Sequence, residues 1–153
     1  MRRVWPLVSC GLMLAWHSFD QTVEAQQATV SDATRDDEAR DRSVIERFVT
    51  VLEKNPRRGT ALEKVYAFHL ERGSLESWLQ SYRDRLQKLD TRNDPSAPAT
   101  ANTAAASLWM VVGLVESMRG RDATALEAFR NAEQLDSGNA LAAYYLGQSF
   151  VHL

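Results

Sequence analysis

Glycines and aromatic residues recur along this chain at one fixed interval. Phe48 and Tyr82 stand 34 apart, as do Gly113 and Gly147. Tyr82 and Phe129 are separated by one interval plus the length of segment 93–105. Internal periods of this size mark a repeated supersecondary unit that cannot bury both of its faces alone and is stabilised by stacking on its neighbours. Between the marked positions the apolar residues follow helical spacing, so the fold class expected is all-α, an antiparallel helix-pair solenoid.

The helices read as follows. Val44, Ile45, Phe48, Val51 and Leu52 form one apolar stripe, which Pro56 stops by disfavouring the helical conformation at Asn55. Ala61, Leu62, Val65, Tyr66, Phe68 and Leu70 form the next, closed by Gly73; Leu75, Trp78, Leu79, Tyr82, Leu86 and Leu89 form a third. A fourth runs from about Ala106 to Arg119, a fifth ends near Ser137 and Gly138, and a sixth begins after Asn139. Ser43 with Glu46 and Thr60 with Glu63 have capping-box spacing, and Ser74, Asp122 and Asn139 are candidate caps. Residues 26–42 are polar and acidic and read as a flexible leader; the Pro/Ala/Thr-rich segment 93–105 reads as an insert between units.

Stretch 106–139 carries Trp109-x2-Val112-Gly113, then Ala125-x3-Phe129 and Ala132. Leu146-Gly147-x2-Phe150 restarts the same pattern from Ala140, and residues 43–92 carry a more degenerate version through Phe48, Pro56, Gly73, Trp78 and Tyr82. This resembles the tetratricopeptide repeat family, whose repeat unit follows the pattern W-x2-L-G-x2-Y, A-x3-F and P. The chain departs from the pattern at Tyr66, Arg85, Glu116 and Ser137. The resemblance implies a right-handed superhelix with degenerate repeat helices over 43–92, a repeat over 106–139, and the first helix of an incomplete repeat over 140–153. It implies repeat-packing roles for Phe48, Tyr82, Trp109, Gly113, Ala125, Phe129, Ala132, Leu146, Gly147 and Phe150. First helices of such pairs line a concave groove, which places Met110, Leu114, Tyr144 and Gln148 as partner-binding residues. Leu141, Tyr145, Phe150 and Leu153 would form an apolar face awaiting a second helix, open to self-association. The whole is similar to the N-terminal part of a large exported bacterial protein of this family.

Residues 1–25 fit a secretory signal: Arg2 and Arg3, an apolar run from Val4 to Trp16, and a cleavage site after Val23-Glu24-Ala25. The run is short for a membrane span, which needs about 20 apolar residues; cleavage after Ala28 is the fallback, a retained N-terminal anchor is the alternative, and this signal or anchor is the only membrane contact expected. The run also continues past Cys10, unlike a lipobox, and the residues after Arg2-Arg3 do not extend a twin-arginine motif. Residues 26–153 contain no cysteine, which suits a periplasmic, envelope or extracellular location.

No catalytic motif emerges. The chain lacks a Gly-rich phosphate loop, H-E-x-x-H, G-x-S-x-G and EF-hand spacing, so neither enzymatic activity nor a cofactor or metal is expected. His69 reads as a packed residue on an apolar helix, and His152 has no partner in sequence. Asp36-Asp37-Glu38 reads as a solvated acidic run and Arg57-Arg58 as a solvated corner. A net charge of −2 gives no basic field for nucleic acid. The resemblance implies a scaffold for a protein or peptide partner. The rival readings are a docking arm of a larger enzyme or transport assembly and a structural envelope component.

Overall fold

The computed structural model describes residues 17–89 and 99–151, with side chains from residue 35 onward. It is all-helical over those residues: α1 (His17–Lys54), α2 (Thr60–Glu71), α3 (Leu75–Lys88), α4 (Ala99–Met118), α5 (Asp122–Leu135) and α6 (Ala140–Val151). The chain divides into two units, 1–42 and 43–153. Most of the expected signal segment, together with His152 and Leu153, lies outside the described residues.

In the first unit, the expected flexible leader at 26–42 is helical instead. It has almost no apolar stripe, and its four Asp do not favour helix, but its three Ala, three Arg and two Gln lose little on entering one. Exposed Arg40 adds an ion pair to Asp37 at 3.3 Å, one turn away. Because α1 runs unbroken through Ser43, the expected capping box there does not form.

In the second unit, the last turns of α1 end at Lys54, ahead of Pro56. Thr60 is the first residue of α2 and not its cap; Gly59 holds the cap position, and its carbonyl accepts from the Glu63 amide at 3.1 Å. Ser74 precedes α3 without capping it, because its Oγ is engaged with the His69 ring at 2.9 Å. Asp122 likewise opens α5, with Arg121 in the cap position.

α2 and α4 end alike. After α2, Gly73 takes φ 62°, Ser74 N–H donates to His69 O at 2.8 Å, and Gly73 N–H donates to Leu70 O at 3.1 Å. After α4, Gly120 takes φ 70°, Arg121 N–H donates to Glu116 O at 2.9 Å, and Gly120 N–H donates to Ser117 O at 3.1 Å. Both are Schellman closures, in which a left-handed glycine satisfies the last carbonyls. The two glycines are separated by the same offset that relates Tyr82 to Phe129.

α4 is the central helix. It packs against α2, α3 and α5, and every residue from Met110 to Glu116 is buried. Its start at Ala99 takes in the second half of the expected insert, and Ala105 and Ala106 are buried. Four alanines between 99 and 105 favour this extension. The rest of the insert, 93–98, lies outside the described residues.

Between α4 and α5, Gly113 lies under the ring of Phe129. A Cβ built there would approach Phe129 Cε1 to 2.6 Å. The equivalent position of α2 is Tyr66, half-buried, and α2 meets α3 less extensively than α4 meets α5. A tyrosine in that place cannot admit a ring from the opposite helix, so the first pair stays more open. Gly113→Ala is therefore expected to destabilise the fold by about 1–3 kcal/mol, despite alanine's better helix propensity. At Gly147 nothing lies within 4 Å of such a Cβ. Gly147→Ala is expected to stabilise by about 0.5–1 kcal/mol. Urea midpoints of the two variants should move in opposite directions.

Glu53 joins α1 to α3. Tyr82 Oη donates to Glu53 Oε1 at 2.7 Å, and Arg85 donates to Oε1 at 2.6 Å and to Oε2 at 3.3 Å. Arg85, where the repeat pattern prefers alanine, thus anchors a neighbouring helix. Burial alone raises the Glu53 carboxyl, but the Arg85 and Tyr82 hydrogen bonds outweigh it and hold it below the usual carboxylate range. A carboxyl depressed by folding stabilises at pH above its unfolded value, near 4.5, and loses that contribution as pH falls through the lower folded value. Glu53→Gln is expected to lower stability at pH 7 by on the order of 1 kcal/mol. The gap to the parent chain should close as the pH falls from above 4.5 through the lower folded value.

Candidate interaction surface

α6 is built from two contrasting faces. Its start is fixed by Asn139, whose Oδ1 accepts from Leu141 N–H at 3.1 Å and Ala142 N–H at 3.2 Å, the one candidate side-chain cap that forms as expected. On the inner face Ala142, Tyr145 and Ser149 are buried and Leu146 is half-buried against the core. The repeat register puts Tyr145 on the open face; it is instead the anchor of the helix. Its ring stacks on Phe129 at 5.4 Å, and its Oη accepts from the Arg58 amide at 3.0 Å. The Arg58 guanidinium lies 5.8 Å from the Tyr145 ring centroid and donates to Ser117 Oγ at 3.0 Å. The Arg57-Arg58 corner is therefore only partly a solvated turn: Arg58 ties α6 to the end of α4.

The outer face is apolar and open. Ala140, Ala143 and Gly147 form a stripe of small exposed residues. Tyr144, 60% exposed, and Val151, 81% exposed, border it on one side, and Phe150, 58% exposed, borders it on the other. α6 carries no charged residue from Ala140 to Val151. Gly147 and Phe150, expected to pack between repeats, pack against nothing on this face, because no helix of the described residues covers it.

The expected groove of Met110, Leu114, Tyr144 and Gln148 does not assemble. Met110 and Leu114 are wholly buried, because α4 is enclosed by α2, α3 and α5. Tyr144 projects outward with its ring edge-on to Tyr145 at 5.2 Å. Gln148 is half-buried, and its Oε1 is a buried acceptor with no partner among the described residues. Of the other repeat-packing residues, Tyr82, Gly113, Ala125, Phe129 and Ala132 are buried, Trp109 is half-buried, and half-buried Phe48 lines a cleft of about 450 Å³ with Val51, Arg57 and Ala61.

A second polar cluster escaped sequence reasoning. Glu116 is wholly buried, and its carboxylate is held by Arg83 at 2.9 Å and Arg119 at 3.3 Å, with Arg121 at 3.7 Å. Glu76 bridges Arg83 and Arg119 at 3.2 and 2.8 Å, and those two arginines hold its exposed carboxyl below the usual range. The available signal was a single acid inside the apolar run of α4, followed closely by Arg119 and Arg121. His69 is packed as expected, stacked on Trp78 at 4.9 Å; burial and the charge of Arg72 hold its imidazole below the ordinary histidine range.

No helix among the described residues is long and apolar enough to cross a membrane. No family model, curated protein or solved structure matches the chain.

Proposed function

We propose that this chain is an exported protein-interaction scaffold built from tetratricopeptide-like helix pairs stacked as a solenoid, with no catalytic role of its own. The observation that carries the reading is the outer face of α6: a helix without a charge, presenting Tyr144, Phe150 and Val151 to solvent. Contiguous exposed apolar surface of this kind marks an interaction site. The paired glycine closures at Gly73 and Gly120 and the Phe129 ring over Gly113 support the repeat reading. Arg2, Arg3 and the apolar run after them support export.

A photo-crosslinking residue placed at Tyr144 in cells tests the binding role, with the same residue at exposed Gln80 on α3 as control. Discrete protein adducts from position 144 and none from position 80 are expected. Absence of adducts at 144 would refute the proposal. In a Gram-negative host the N-terminus of the accumulated protein should begin after Ala25, about 25 residues having been removed; an intact N-terminus would contradict export by this route.

A further inference from the structure

Tyr66 and Glu116 both depart from the repeat pattern, and both bear on one cleft. It lies between the second half of α2, the start of α3 and the corner joining α4 to α5, and its volume is about 400 Å³. Its apolar lining is Tyr66, Leu70 and Leu75; its charged lining is Glu76, Arg119 and Arg121. Gly73 also borders it and adds no side chain to fill it, since a Cβ built there would meet nothing within 4 Å.

The charges are built in from below the surface. Buried Glu116 accepts from Arg119 at 3.3 Å on each of its oxygens and from Arg83 at 2.9 Å. Arg119 and Arg83 in turn hold Glu76. Three arginines thus share two carboxylates, which leaves one positive charge over. Arg121 carries that surplus. Its half-exposed guanidinium stands 3.7 Å from Glu116, longer than a hydrogen bond, and no acceptor among the described residues takes its side-chain N–H groups. The apolar lining is also underused: Leu70 is 55% exposed and Tyr66 is half-buried.

We infer that this cleft binds a small organic acid, a carboxylate on an apolar body. Arg121 anchors the carboxylate, because the planar guanidinium fork matches the two oxygens. Tyr66, Leu70 and Leu75 cover the body. The ligand is a monoanion: one surplus charge balances it, and a second negative charge would meet Glu76 in the same cleft. The volume falls within the range of small-ligand pockets, about 300–1,000 Å³, whose lining is apolar with a few placed polar groups. The cleft shares no residue with the outer face of α6, so this inference and the interaction reading fail separately.

The test titrates the full chain with 3-phenylpropionate and with octanoate, following the leucine methyl signals by NMR. Saturable shifts at Leu70 and Leu75 are expected. The neutral 3-phenylpropanol should bind about tenfold or more weakly than its acid, and Arg121→Gln should weaken the acid by a similar factor. Arg121→Gln should leave the urea midpoint unchanged, because a half-exposed 3.7 Å contact adds little stability. Leu70→Glu, at an exposed position, should abolish binding of both acids by setting a like charge at the site. Saturable shifts with neither acid would overturn the inference, as would equal binding of the alcohol or undiminished binding by Arg121→Gln or Leu70→Glu. Inorganic phosphate binding as tightly as 3-phenylpropionate would overturn it in favour of a bare anion corner. Tighter binding of N-acetyl-glycyl-phenylalanine than of either acid would overturn it in favour of a peptide chain end.

Discussion

Glu116→Ala is expected to destabilise the 43–153 unit by about 3–5 kcal/mol, a large share of the stability of an ordinary domain. The carboxylate is wholly buried and satisfies Arg83 and Arg119; the Arg119 side chain is only 15% exposed. Removing the acid leaves those guanidinium groups half-desolvated beside a cavity. Both arginines keep exposed Glu76 as a partner, so the cost comes from the buried side of the cluster, and it should fall when the arginines go too. Glu116→Met combined with Arg83→Met and Arg119→Met is expected to recover most of the loss, since well-packed apolar replacements of buried ion clusters are often neutral. Denaturant midpoints followed by tryptophan fluorescence measure both. An unchanged midpoint in Glu116→Ala would show that the cluster contributes little.

Phe129→Ala is expected to cost about 3–5 kcal/mol as well, for a different reason. The ring lies against Gly113 of α4 on one side and stacks on Tyr145 of α6 on the other. Truncation opens a cavity that glycine cannot fill and takes away the surface on which Tyr145 rests. Hydrogen exchange should therefore show α6 losing protection beyond the global effect. Phe129→Leu, which keeps most of the volume, should cost under about 1.5 kcal/mol. Equal losses for the two substitutions would mean that ring shape, not filling, is what matters.

The sequence exposed those features that are local and periodic. α2, α3, α5 and α6 were legible because each combines an apolar stripe with glycine, proline or asparagine at its end, and Asn139 caps where it should. The extent of α1 and α4 was not legible, because apolar periodicity fades in 26–42 and 99–105 while alanine and long polar residues still favour helix. Capping-box spacing misled at Ser43 and Thr60. A serine or threonine one turn before a glutamate also fits the interior or the first turn of a helix, and the chain before Ser43 was already helical.

The candidate surface was half legible. Helical spacing places Met110 and Tyr144 alike, one interval apart, but exposure depends on which other helices arrive. Met110 is covered by its surroundings and Tyr144 is not. Glu116 was visible as an anomaly in the repeat, yet its partner Arg83 comes from 33 residues away on another helix. No spacing rule connects them.

The hydrogen bond from the Arg58 amide to the Tyr145 hydroxyl spans 87 residues of sequence. Stacked repeats ordinarily make contacts only with their immediate neighbours, so they can unravel from an end one unit at a time and fold by local propagation. A tie between the entrance of α2 and the middle of α6 closes a long loop, which raises the contact order and couples the stability of α6 to that of α2. The outer face of α6 is thereby held firmly in place. For the partner proposed above this is a preorganised surface, whose ordering adds little entropic cost to binding.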